Sequence, residues 1–219
     1  MTLANRRGHA FVIAAPSGTG KTTICQAVVE RDPEIVFSVS HTTRTARPGE
    51  VDGVHYHFTT PRQFRSLADE GVFLEHANYN GHNYGTSHEA LRETTEDRGL
   101  DVLLEIEVQG ARQIHDKKTG ACFVFLLPPS IAELERRLRG RGTDDDETIE
   151  KRLGIVKTEL AAIELFDYAV VNDDLEEAIA SVAEIIATER KGDAAELEVL
   201  AQRFGREGVW ASWQVENPI

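Results

Sequence analysis

Short apolar runs closed by turn formers alternate along this chain with longer segments whose apolar positions recur every three or four residues. Residues 9–15 (HAFVIAA) are the first run and stop at Pro16-Ser17-Gly18, the pattern of a strand buried on both faces. Ile24, Ala27 and Val28 then share one face of a predicted helix over 22–31, and 35–39 reads as a second strand. Periodicity disappears over 40–53, which reads as a long functional loop. It returns as an alternating strand over 54–58, a helix over 61–70 opened by Pro61, and a strand over 72–79 that ends at the Asn80-Gly81 turn signal.

From residue 87 helix and strand alternate regularly. Helices are predicted over 87–98, 108–118, 131–139, 147–165 and 175–190, with strands over 101–106, 121–127 and 168–171 between them. Ser130 can cap the third of these helices, with Glu133 at the capping-box position. A further helix is expected near 193–205. The remaining stretch carries Trp210 and Trp213, for which core packing is favoured over a partner surface. Alternating strand and helix units imply a mostly parallel sheet covered on both faces, an α/β fold of three layers. The polar stretch from 40 to 86 is a β-rich insert in it.

The turn after the first strand carries chemistry. Ala15-Pro16-Ser17-Gly18-Thr19-Gly20-Lys21-Thr22 matches G-x-x-x-x-G-K-[ST] with Ala at the first glycine, and it sits between a predicted strand and a predicted helix. Gly18 and Gly20 allow backbone conformations that a Cβ would hinder. The backbone N–H groups and the positive end of the helix then face phosphate oxygens. Lys21 reaches the β- and γ-phosphates, and Thr22 can place its hydroxyl on Mg²⁺. Ala15 is tolerable where its φ is negative. The motif implies a P-loop nucleotide site, with Thr23 completing the first turn, and leaves the acceptor open.

Composition narrows the partners. The 219 residues carry a net charge of −13 with 41% hydrophobic residues, which argues against disorder and against a nucleic-acid or anionic-membrane binder. The run at 10–15 is too short for a signal segment or a membrane span, so a cytoplasmic location is the expectation. Cys25 and Cys122 lie far apart and form no C-x-x-C pair, so neither a disulfide framework nor a Cys-based zinc site is expected. The histidines of the insert, His41, His55, His57, His76, His82 and His88, fit no zinc spacing.

The insert supplies the acceptor. Ser40-His41-Thr42-Thr43-Arg44-Thr45-Ala46-Arg47-Pro48-Gly49-Glu50 precedes Gly53, Tyr56, Glu75 and Asn80-Gly81-His82-Asn83-Tyr84-Gly85-Thr86. Together with Glu105-Ile106-Glu107-Val108-Gln109-Gly110-Ala111, Leu126-Leu127-Pro128-Pro129-Ser130, Arg137-Leu138-Arg139-Gly140-Arg141-Gly142 and Val171-Asn172-Asp173, this closely resembles the guanylate kinase family over roughly residues 9–190. The resemblance implies a P-loop core of residues 1–39, 87–137 and 157–219, a GMP-binding subdomain of 40–86 and a small helical lid of 138–156.

By that resemblance Arg44, Arg47, Tyr56 and Tyr84 hold the phosphate of GMP, while Ser40, Glu75, Thr86 and Glu107 read guanine. Arg offers phosphate a fork of donors. A carboxylate can accept from guanine N1–H and N2–H₂, while a hydroxyl donates to O6. The family pattern usually has Asp where this chain has Glu107. Glu105 ends an apolar strand and is assigned to Mg²⁺ or its waters. Arg137, Arg141 and Arg152 match the catalytic arginines that neutralise charge on the transferred phosphoryl group, and Arg136 and Arg139 are expected to face solvent. Asn172 matches a position near adenine.

The implied activity is Mg²⁺-dependent transfer of the ATP γ-phosphoryl group to GMP, giving ADP and GDP in purine nucleotide metabolism. ATP is the co-substrate, no nucleic acid or membrane is a partner, and the protein is a monomer or homodimer. Two rival readings are a non-catalytic interaction domain on the same fold and a P-loop kinase for another acceptor. Lys21, Thr22 and the lid arginines oppose the first, which would also sit beside further modules. Glu75 with Thr86 opposes AMP as acceptor, since adenine lacks N1–H and would leave the carboxylate unpaired. Six of the 24 Lys and Arg residues are thereby assigned to phosphates, so an acidic shell encloses a small basic cleft.

Overall fold

The computed structural model describes residues 7–79, 81–140 and 146–217, and the side chains of 146–148, 151 and 152 lie outside that description. At its centre is a five-stranded sheet in the order β2-β7-β1-β8-β9, parallel throughout, built from β1 (Ala10–Ala14), β2 (Ile35–Phe37), β7 (Asp101–Glu105), β8 (Cys122–Leu127) and β9 (Tyr168–Val171). Alternation along β1 explains the layers. Val12 and Ala14 point into one apolar cluster and Phe11 and Ile13 into another, all of them fully buried.

The first cluster is closed by α4 (Val108–Asp116), α5 (Ile131–Gly140), α6 (Asp146–Leu160) and α9 (Arg206–Glu216). The second is closed by α1 (Lys21–Arg31), α7 (Leu175–Lys191) and α8 (Ala194–Phe204). This is the expected three-layer α/β/α architecture. Cys25 is buried, Cys122 half-buried, and both are free thiols.

β1 lies between β7 and β8, so the chain leaves it toward one sheet edge and later returns to fill the other. In parallel sheets the carboxyl ends at such a reversal form a crevice. The phosphate loop after β1, Glu105 to Glu107 at the end of β7, and Asn172 after β9 all lie at that end of the sheet.

A second sheet, in the order β4-β3-β6-β5, occupies the insert: β3 (His41–Thr42), β4 (His57–Phe58), β5 (Phe73–Tyr79) and β6 (His82–Ser87). Here the structure corrects the sequence reading. Of the strand expected over 54–58 only His57–Phe58 joins the sheet, because Gly53 N–H to Tyr56 O (2.8 Å) and His55 N–H to Val51 O (3.0 Å) close a turn that leaves Val54 62% exposed. β3 lies inside the stretch read as loop, and β6 was not anticipated. The helix α2 (Pro61–Asp69) starts with a full capping box between Thr60 and Gln63.

Two helices also differ from expectation. The segment over 87–98 is α3 (His88–Arg92) followed by a π-helical turn, Glu93–Asp97, in which Thr95 Oγ1 donates to Leu91 O at 2.9 Å. The helix over 147–165 ends in a 3-10 turn, Ala161–Leu165. Past α8 the chain forms α9, whose Trp213 is buried and donates to Pro128 O at 2.6 Å, so the C-terminal segment packs on the core. Among the described residues no helix is long and apolar enough to cross a membrane.

Candidate active site

The phosphate loop has the backbone its sequence requires. Gly18 and Gly20 adopt φ of 95° and 99°, where a side chain would be strained, and a Cβ on Gly20 would lie 2.7 Å from Asn172 Nδ2. Ala15 is buried and keeps a negative φ, so alanine fits where the motif allows glycine. Pro16 accepts the Thr19 N–H at 3.2 Å, curling Ser17 to Gly20 over the start of α1.

Lys21, on the first turn of α1, donates to Ile106 O at 2.6 Å and to Glu107 Oε1 at 3.2 Å. Burial alone would lower its pKa, but the carboxylates of Glu107 and Glu105 outweigh it and hold the ammonium above its ordinary value. The Thr22 hydroxyl donates to Glu105 Oε1, and Thr23 is exposed on the same turn.

The acceptor wall follows from strand alternation. Glu75, Ala77 and Tyr79 share one face of β5 and line a cavity of about 540 Å³, with Tyr84 on β6 opposite. Lys21, Thr22, Glu105 and Glu107 line the same cavity from the sheet, and Ser40, Arg44, Arg47, Glu50 and Tyr56 line it from the insert.

Glu75 is 3% exposed, and its Oε1 accepts from the Thr86 amide at 3.1 Å and hydroxyl at 2.8 Å. Burial pushes its pKa up, and the Thr86 donors, Lys117 and Lys21 only partly offset this. Ser40 Oγ lies 3.2 Å from Thr86 Oγ1, which completes a hydroxyl–hydroxyl–carboxylate row.

Beside that row, Arg44 meets Glu50 fork to fork at 2.9 and 2.7 Å and stands 5.4 Å over the Tyr56 ring, with Tyr84 against it. Arg44's guanidinium and the Arg47 N–H (2.7 Å) hold the Glu50 carboxyl down at about 2. Glu50 therefore fixes Arg44's orientation in the absence of phosphate. In the sequence Glu50 simply follows Arg44 and Arg47, and nothing in that spacing marks it as their partner.

On the lid side, Arg137 Nε donates to Glu133 Oε1 at 2.8 Å, and its terminal nitrogens reach toward Thr19 O (3.5 Å) and Asn172 O (3.4 Å). It therefore spans the phosphate loop and the turn after β9. Glu133 does not close a reciprocal capping box. Its amide is capped by Ser130 at 3.0 Å, while its carboxylate binds Arg136 and Arg137. Arg136 is largely exposed, and Arg139 pairs with Glu135 on the outer face. The Asn172 amide is buried and donates to Thr19 O at 2.6 Å, bracing the loop from below. Arg141 and the side chain of Arg152 fall outside the described residues.

Glu159 of α6 was not anticipated. Burial together with Glu107 pushes its pKa up, and the nearby Ser17 N–H and Lys21 only partly offset this. No local sequence signal marks it, because it reaches the loop only through the packing of α6.

The donors fit a hard cation that depends on its substrate. Thr22 offers a hydroxyl and Glu105 a carboxylate side by side, and Mg²⁺ is commonly held by one or two carboxylates plus substrate phosphates. Among the described residues no cluster of three or more His, Cys, Asp or Glu could hold a metal without a substrate.

Comparisons with known proteins point to one family. The family model described as guanylate kinase matches residues 7–189. A guanylate kinase of Vibrio parahaemolyticus is 46% identical over 186 residues, covering 84% of this chain and 89% of the relative. One of Chromobacterium violaceum is 44% identical over 202 residues, covering 92% and 96%. Among solved structures, the guanylate kinase of Anaplasma phagocytophilum superposes with a TM-score of 0.69 at 31% identity, over 90% of this chain and 96% of that one.

Proposed function

The chain belongs to the guanylate kinase family, and from that premise we propose how its own residues move the γ-phosphoryl group of ATP to GMP. It is an ATP:GMP phosphotransferase. The observation that carries the residue assignment is the single cavity that brings the Glu75 wall and the Lys21 wall face to face.

Guanine enters against Glu75. The carboxylate accepts from N1–H and N2–H₂, and the hydroxyls of Ser40 and Thr86 serve O6. Glu107 supports the base from the sheet once Lys21 turns to phosphate. Arg44, Arg47, Tyr56 and Tyr84 hold the GMP phosphate, with Arg44 already oriented by Glu50.

ATP lies on the loop from Ala15 to Thr23. Backbone N–H groups and Lys21 hold its phosphates, and Asn172 keeps the loop in place under the nucleotide. Bringing the GMP phosphate in line with the γ-phosphoryl group is most of the catalysis, since this transfer needs little covalent help. Arg137, with Arg141 and Arg152 from the lid of 138–156, stabilises the charge that spreads over the moving group, and lid closure keeps water from taking GMP's place. Thr22 and Glu105 would hold Mg²⁺ or its waters, which supplies charge neutralisation of the β- and γ-phosphates.

The insert of 40–86 serves GMP, 138–156 forms the lid, and residues 1–39, 87–137 and 157–219 form the P-loop core. The reaction belongs to the cytoplasm, with a monomer or homodimer as the working unit and neither nucleic acid nor membrane as partner. The acidic total of −13 supports that setting.

One assay tests the assignment. With Mg²⁺ and ATP, the purified protein phosphorylates GMP much faster than AMP, UMP or CMP. Equal or faster turnover of AMP overturns Glu75 as the reader of the base.

A further inference from the structure

The face that α4 turns toward β5 holds a row of residues with no role in the chemistry above. Gly110 and Gln113 of the helix and Lys117 at its C-cap are spaced i, i+3, i+7 along one side. Gln113 Nε2 donates to His76 O at 2.7 Å, and its Oε1 accepts from His76 N at 3.1 Å. Lys117 Nζ donates to Leu74 O and, at 3.4 Å, to Phe73 O. These two grips take hold of β5 on either side of Glu75, where the β5–β6 register shifts between Phe73 and Glu75.

Gly110 faces Glu75 itself. A Cβ there would land on Glu75 Oε2 and lie 3.1 Å from Cδ. The glycine is buried and its φ is not positive, so backbone conformation does not require it. Alanine is the better helix former at such a position. What the absent side chain provides is room for a carboxylate.

We propose that Gly110 is a specificity-determining position for the acceptor base, acting through Glu75, with Gln113 and Lys117 as positioning residues for the strand that carries it. This rests on the reading of Glu75 as the group that binds guanine. Glu75 Oε1 is pinned by the Thr86 amide and hydroxyl, so a methyl at 110 displaces Oε2, the outer end of a flexible side chain. The fold absorbs that shift, whereas the pair of acceptors presented to N1–H and N2–H₂ loses its alignment.

The test compares wild type, Gly110→Ala, Glu75→Gln and the double variant. GMP and inosine monophosphate, which lacks the 2-amino group, are the acceptors. Gly110→Ala is expected to raise the KM for GMP roughly tenfold, to cut the preference for GMP over inosine monophosphate by a similar factor, and to leave the KM for ATP within about twofold. Its melting temperature stays near wild type. In the Glu75→Gln background the same substitution changes the KM for GMP by less than about twofold, because the two act through one carboxylate.

Gln113→Ala loosens one grip without adding volume. It is expected to show the same split between GMP and ATP at about threefold, and it keeps the proposal open to refutation where Gly110→Ala is poorly folded. An unchanged KM for GMP in Gly110→Ala, or full additivity with Glu75→Gln, overturns the inference while Glu75 keeps its role. An unchanged KM for GMP in Glu75→Gln overturns the guanine reading and the inference with it.

Discussion

The two ends of the five-stranded sheet hold charged residues in opposite ways. At the amino ends, Arg190 of α7 binds Asp101 at 2.6 Å, Asp32 at 2.6 Å and Glu34 at 3.2 Å, and the fully buried Asp101 also takes the His9 N–H at 2.8 Å. Each of these acids meets a donor from the fold, and β1, β2, β7 and α7 are tied together by the result. At the carboxyl ends the polar groups face inward with part of their capacity unused. Among the described residues, Thr19 Oγ1, Ser38 Oγ and Glu159 Oε2 are buried there without a hydrogen-bond partner, and Glu75 is held above the usual carboxylate range by burial. Unmet buried polar groups are costly and rare in native proteins. Their concentration at one end marks where the fold gives up stability to receive two nucleotides.

The sharpest way to break this contrast is to remove one cation from each end. Lys21→Ala is expected to lower kcat by about a thousandfold, equivalent to about 4 kcal/mol of transition-state stabilisation. Its melting temperature should stay within a few degrees, which steady-state kinetics and thermal denaturation read together. A near-normal rate would remove the phosphate-loop role. Arg190→Ala should do the reverse. It takes the Arg190 guanidinium away from the buried Asp101 carboxylate and destabilises the fold by about 3 kcal/mol in denaturant titration. The folded fraction should keep the wild-type KM values for GMP and ATP. A selective loss of GMP turnover would mean that the two ends are not separate in function.

The carboxyl end was also the more legible one. Gly18 and Gly20 announce their left-handed backbone by residue type, and β1 announces burial on both faces by an unbroken apolar run. The second sheet was harder to see because polar residues hold it together. β6 reads HNYGTS, with no apolar alternation, and its register, next to the shift between Phe73 and Glu75, places Thr86 against Glu75. β3 is two residues long inside a polar stretch. Glu133 sits at a capping-box spacing but lies within reach of two arginines on its own helix, and an ion pair outcompetes the neutral cap. Gly110 was visible as a glycine in a motif, but the neighbour that explains it comes from a distant strand.

Acid should act with opposite signs on stability and on turnover at Glu75. Unfolded, Glu75 titrates near its ordinary 4.5, whereas in the fold burial raises that value. Between the two values the native state binds more protons than the unfolded one, so Glu75 adds stability as pH falls through that window. The same protonation removes the acceptor that guanine requires. Below the raised pKa, kcat/KM for GMP is expected to fall about tenfold per pH unit from this group. Glu75→Gln should flatten that limb of the profile. A limb that survives in Glu75→Gln would assign it to another carboxylate.

The smallest effect probes how the C-terminal helices serve the site end. Trp213 is buried, stacks on Trp210 at 5.2 Å and donates its indole N–H to Pro128 O, just before the turn into α5. Trp213→Phe keeps an aromatic ring in the cluster and leaves that carbonyl without its donor, which costs about 1 kcal/mol, or about 2–4 °C in melting temperature. Asn217 Nδ2 still reaches Pro129 O at 3.2 Å, so α9 should stay docked and the KM for ATP should hold within about twofold. A larger rise in the KM for ATP would show that the Pro128 carbonyl sets the position of α5, and with it Arg137, rather than only anchoring the tail.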